Sequence, residues 1–208
     1  MTTKPLLLMA AKAGLQSASI MTVADITTQL LVEGRSMSMP RVQIDDAQTQ
    51  QQNKVAVDDH DDASTMRQCY DPWRTLRWTT VGLTLHGPYF FVCFGKLDKI
   101  FGASTTLSVA AKKTIFGQFV VFPPYLTALF TYMGAMEGLK RDEILIKVQD
   151  RVPKAFVGGC IFWPIANLFN FRFVPVGLRV PYLASVGGLW NGYLSYMNSN
   201  SKKESGEY

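Results

Sequence analysis

Residues 114–136 read TIFGQFVVFPPYLTALFTYMGAM, a run without charge between Lys113 and Glu137. It is longer than the roughly 20 residues that cross a bilayer core, so its natural solvent is lipid. Two further charge-free runs approach spanning length, AFVGGCIFWPIANLFNF at 155–171 and VPYLASVGGLWNGYLSYM at 180–197. Upstream lie two weaker ones: residues 6–32 are interrupted by Lys12 and Asp25, and residues 78–95 by His86. The mean hydropathy of +0.07 decides nothing, because the information is in how the apolar residues are distributed.

Four or five apolar helices in 208 residues leave little chain for a separate soluble domain. The expected fold is therefore all-α: a polytopic helical membrane protein, one domain over 1–208, with about four transmembrane helices plus amphipathic or interfacial segments in one bundle. Helices are predicted around 6–32, 74–98, 106–136, 142–171 and 176–197, four of them spanning fully. Residues 34–68 are rich in Gln, Asp and Ser and poor in aromatics, which predicts a disordered polar loop insert. Residues 198–208 read as a polar C-terminal tail.

The net charge of +5 would suit nucleic acid, but Lys and Arg sit mainly at the ends of apolar runs, where they anchor helices at headgroups. No aromatic-basic RNA motif accompanies them, so nucleic acid is not an expected partner. Three linkers each carry several bases, and the positive-inside comparison has no winner. Cys69, Cys93 and Cys160 are far apart with no His nearby, so neither a metal site nor a disulfide framework is expected. His60 lies among Asp58, Asp59, Asp61 and Asp62, a cluster with no defined turn to hold a cation. Hydrolase, phosphate-loop and dinucleotide motifs are absent, so no catalytic residue and no cofactor is expected.

Within the spans, Gly134 with Gly138 and Gly188 with Gly192 form G-x-x-x-G pairs, which let helix backbones approach closely in lipid. Pro88, Pro123, Pro124 and Pro164 each free a backbone carbonyl that needs another donor. Polar side chains stand out against this background: Asp25 and Gln29 share a helical face, as do Asn167 and Asn170, and Gln118 sits alone. One reading has these five as interhelical hydrogen-bonding groups, with Asp25 near the membrane surface. The other points them toward a common wet interior. Arg77 and Arg179 are read as interface anchors rather than partners of an intramembrane acid.

The segments ADITTQ (24–29), DPWRTLRWTTVGLTLHGPYFFVCFGKLD (71–98), KKTIFGQFVVFPP (112–124), FWPIANLFNFRFVPVGLRV (162–180) and LWNGYLSYM (189–197) resemble, in order and spacing, the Mpv17/PMP22 family of small organellar membrane proteins. The resemblance implies residues that build the family's structure: Asp25 and Gln29; Asp71, Arg74 and Arg77; Gly87 and Pro88; Trp163 and Pro164; Asn170 and Phe171; Pro175 and Arg179; and Trp190. Departures occur at Ala24, Phe91, Cys93, Phe94, Gly117 and Asn167, where the family commonly has Gly, His, Trp, Tyr, Asp and Gln, so a solute path here is expected to be less polar.

The family implies an inner mitochondrial membrane first and a peroxisomal membrane second. It also implies a weakly selective small-solute channel, or its regulator, supporting organelle homeostasis. Expected partners are the lipid bilayer, small solutes or metabolites, and a second copy of the chain. The competing expectation is a non-conducting membrane scaffold or assembly factor. Asp25, Gln29, Gln118, Asn167 and Asn170 are the candidates for pore lining or interhelical bonding.

Overall fold

The computed structural model describes residues 3–33 and 69–205, with side chains over 6–33 and 69–193. The predicted disordered insert and the Asp58–Asp62 cluster lie outside the described residues. Described helices make up five rods. The first is α1 (Thr3–Thr27), continued by a π-turn at Thr28–Val32. In the second, α2 (Pro72–Val81) passes through a π-turn, Gly82–His86, into α3 (Gly87–Phe101). The third joins α4 (Leu107–Phe116), a π-turn at Gly117–Val121 and α5 (Phe122–Met136). An unbroken helix, α6 (Arg141–Phe173), is the fourth, and a short 3-10 turn leads into α7 (Arg179–Ser205) as the fifth.

The rods agree with the predicted segments to within a few residues except at the C-terminus. There the helix runs on through polar sequence to Ser205 instead of ending at 197. Among the described residues, three stretches are long and apolar enough to cross a membrane: Leu6–Val32, Leu107–Met136 and Arg141–Phe173. Large apolar side chains such as Leu15, Leu31, Ile115, Ile161 and Ile165 are more than 60 % exposed, which lipid tolerates and water does not. The fold is an all-α membrane protein.

Prolines explain two of the three π-turns. A proline ring clashes with the carbonyl four residues back, and an inserted residue moves that carbonyl aside. The π-turn at 82–86 ends two residues before Pro88, and that at 117–121 two residues before Pro123. The Tyr89 hydroxyl then donates to the Val121 carbonyl at 2.7 Å, joining the two modified helices. α6 carries Pro153 and Pro164 with no such turn.

Lipid offers helices little hydrophobic drive to associate, so close backbone approach matters. A Cβ on Gly87 would lie 2.4 Å from the Gly14 Cα, one on Gly82 2.7 Å from the Ala18 Cα, and one on Gly14 2.3 Å from the Leu83 carbonyl oxygen. Thr22 and Thr79 share a hydroxyl hydrogen bond of 2.6 Å farther along. The first and second rods are thus antiparallel and nearly in backbone contact. Gly188 and Gly192 face Ala24 and Thr28, so this G-x-x-x-G pair is used within the chain, packing α7 along α1. The other pair does not act as one. Gly138 has φ of +76° and forms the left-handed turn after α5, while Gly134 packs against Ile144.

These contacts predict opposite outcomes for two glycines of one rod. Gly87→Ala should cost about 1–3 kcal/mol, because backbone must move to admit the methyl group. Gly95→Ala meets nothing within 4 Å and should be neutral or gain up to about 1 kcal/mol in helix propensity. Thermal unfolding in detergent distinguishes them, and equal effects would contradict the packing.

Candidate functional site

The antiparallel rods give the bundle two ends, each with a polar node. At the first, Gln29 is fully buried and its amide pairs with the backbone of Asp71, accepting from the N–H at 2.8 Å and donating to the carbonyl at 3.1 Å. Asp71 is the N-cap of α2, accepting from the Arg74 N–H at 3.0 Å. Asp25 accepts from Gln29 at 2.8 Å and from the Thr75 hydroxyl at 2.6 Å, and pairs with Arg74 Nε at 2.9 Å. Arg74 also reaches Glu33 at 2.6 Å, and Arg77 lies 3.6 Å from Asp71. Asp25 is 6 % exposed, so it is a buried acid with a cation and two donors.

The second end holds a node that the sequence reading missed. Asp98, at the end of α3, receives Lys113 Nζ at 2.6 Å and, through both carboxylate oxygens, Arg179 Nη1 at 2.9 Å. Lys113 is 0 % and Arg179 1 % exposed. Arg179, expected as an interface anchor, is instead the partner of a buried acid, and Lys113, a base at the end of an apolar run, turns inward as well. Each cation sits in the interior because a carboxylate and the Phe171 ring receive it, the ring centroid being 5.8 Å from Lys113 Nζ and 5.4 Å from the Arg179 guanidinium carbon. The one available signal was that Asp98 is the sole acid between Asp71 and Glu137.

Between the nodes lies a cavity of about 500 Å³ to which all five rods contribute. Along α6 it extends from Lys147 to Asn167, about 30 Å at 1.5 Å per residue. At the Asp25 end its rim includes Arg74, Glu137 and the paired Lys147, and its walls are Trp78, Phe122, Leu126, Trp163 and Trp190. His86 lines it in mid-bundle, buried and bonded through Nδ1 to the Tyr125 hydroxyl at 2.8 Å. The cavity does not reach the other end. Phe94, Leu97, Ala110 and Phe171, each no more than 6 % exposed, fill the space before the Asp98 node.

The five polar candidates separate into different roles. Asp25 and Asn167 line the cavity. Gln29 is held in the first node, and Gln118 is buried with its amide donating toward Cys160 Sγ at 3.8 Å. Asn170 is fully buried and donates to the Arg179 carbonyl at 3.3 Å, so it serves α7 and not the cavity. Asn167 and Asn170 therefore do not act as a pair, although they are only three residues apart. Among the remaining motif residues, Trp163 packs on Phe122 and Trp190 stacks on Phe162, both also walling the cavity, and Val174–Pro175 is the extended break between α6 and the last rod.

An all-helical bundle with stretches of spanning length, buried ion pairs at both ends and an interior cavity is an integral membrane protein. Residues 134–195 match the Mpv17 / PMP22 family. Among similar proteins, PXMP2/4 family protein 4 of Dictyostelium discoideum is 31 % identical over 131 residues, covering 63 % of this chain and 70 % of that one. Protein SYM1 of Eremothecium gossypii is 33 % identical over 140 residues, covering 64 % and 74 %. Mitochondrial inner membrane protein Mpv17 of Homo sapiens is 30 % identical over 123 residues, covering 59 % and 69 %. The chain belongs to the Mpv17/PMP22 family. No solved structure matches it.

The second node generates a ranking of variants. Asp98→Asn leaves two buried cations without a counter-charge and should cost about 3–5 kcal/mol, whereas Lys113→Met leaves the Arg179 pair intact and should cost less. Thermal or denaturant unfolding of both variants in detergent checks the order.

Proposed function

We propose that the chain forms a weakly selective pathway for small solutes in the mitochondrial inner membrane, with the peroxisomal membrane as the second location. The observation that carries this reading is the cavity: one space bounded by all five rods, reaching the surface at Glu137 and Lys154, and closed toward Asp98 by packed side chains. The location is supported by the relatives named as mitochondrial inner membrane proteins. The reading assigns the chain no catalytic chemistry. In this arrangement Asp25 and Asn167 provide polar lining, while the aromatic walls keep much of the interior apolar. Such a passage conducts when the packed layer separates and the space wets.

The alternative is a non-conducting scaffold, favoured by the use of Gln29 and Asn170 as hydrogen-bonding groups between elements. Purified protein in planar bilayers separates the two, because a folded but silent protein overturns the pathway.

Two single substitutions divide lining from packing. Asn167→Leu removes a cavity amide and should lower conductance with little change in stability. Asn170→Leu removes the bond to the Arg179 carbonyl and should lower stability by about 1 kcal/mol. Conductance recordings paired with thermal unfolding test this, and the opposite assignment would make Asn167 structural.

A further inference from the structure

The two ends of the bundle differ in charge. Around the Asp25 end the acids and bases with described side chains are equal, seven of each, from Asp25 and Arg74 to Asp150 and Lys154. Toward the other end Lys12, Lys96, Lys99, Lys112, Lys113, Arg172 and Arg179 face Asp98 alone among the described side chains. The linkers there, 102–106 and 174–178, add no charge. α4 and α7 begin at this end while α3 and α6 finish there, so helix dipoles offset one another and the side-chain charges carry the difference. Arg179 Nη2 is buried without an acceptor, consistent with one carboxylate serving two cations.

Apolar groups interrupt the cations. Ile100 is 62 %, Leu107 63 %, Phe173 64 % and Leu178 54 % exposed, beside or near Lys99, Lys112, Arg172 and Arg179. An acidic soluble partner would satisfy the bases but leave these side chains in water. A molecule with an anionic phosphate next to hydrocarbon satisfies both. We infer that the Asp98 end of the bundle is a binding surface for anionic phospholipid. Its phosphates sit at the exposed Lys96, Lys99, Lys112 and Arg172, and its acyl chains lie along the neighbouring apolar side chains. The surface stands apart from the cavity, so the inference holds whether or not the bundle conducts.

The test uses the full chain in phosphatidylcholine nanodiscs titrated with phosphatidylglycerol, with retained lipid read by native mass spectrometry. Retention of phosphatidylglycerol above phosphatidylcholine is expected, weakening at high salt. An exposed base contributes up to roughly fivefold in lipid affinity, so Lys112→Gln should lose about that factor. The quadruple change K96Q/K99Q/K112Q/R172Q should abolish the preference, while the pair Lys140→Gln and Arg141→Gln at the opposite end should leave it unchanged. If the quadruple variant does not fold, Lys112→Gln and the salt titration of the unaltered protein carry the test. Equal retention of the two lipids overturns the inference, as does equal loss from the opposite-end pair. Displacement of the bound lipid by inorganic phosphate at matched concentration also overturns it, because the site would then be one for a free anion.

Discussion

Asp98 is one carboxylate holding two cations that have almost no contact with solvent. Removing charges from water costs several kcal/mol per ion, so Lys113 and Arg179 can occupy the interior only while that carboxylate and the Phe171 ring receive them. This constraint fixes where α3, α4 and α7 meet, because the three charged groups come from three different helices. It also places the end of α6, since Phe171 lies under both cations and Asn170 supports the Arg179 carbonyl. The Asp25 node plays the matching part for α1 and α2. The bundle is thus tied at both ends by charge, with aromatic packing between.

In lipid, such ties do what a hydrophobic core does in water. The chain supplements them with backbone contact at Gly14, Gly82 and Gly87, where no side chain keeps the rods apart. Prolines then act as spacers. Each π-turn before Pro88 or Pro123 shifts the following side chains around the helix axis, bringing His86, Tyr89 and Tyr125 onto one interior face. The cavity is present because these altered helices leave room that Trp163 and Trp190 line without filling.

The helices were legible because charge-free runs report lipid directly, and their limits depend on little else. The link between Asp25 and Gln29 was legible as a shared face, but their partner was not: Gln29 pairs with backbone forty-two residues away, across the polar insert. Asp98 and Arg179 were missed for a different reason. A base at the end of an apolar run looks the same whether it turns outward to headgroups or inward to an acid, and only the packed neighbours decide. Gly87 was singled out by the family motif, but its contact with Gly14 escaped notice because the G-x-x-x-G pattern records small residues on one helix, whereas this contact is made between two. Asn167 and Asn170 share a helical face in sequence, but only Asn170 bonds the start of α7, at the Arg179 carbonyl, while Asn167 lines the cavity.

The position of the closed layer follows from the same forces. Phe94, Leu97, Ala110 and Phe171 lie beside the Asp98 node, where Lys113 and Arg179 need a dry environment for their pairing to be strong. Water admitted through this layer would screen the pair at the same time as it opened the cavity. Under the proposed pathway, opening and loosening of the node are therefore one event. At the Asp25 end, by contrast, Arg74 and Asp25 already border the cavity and are supported by Gln29, Thr75 and Glu33. That node can meet water without losing its partners, which is why the cavity extends to one end of the bundle and stops short of the other.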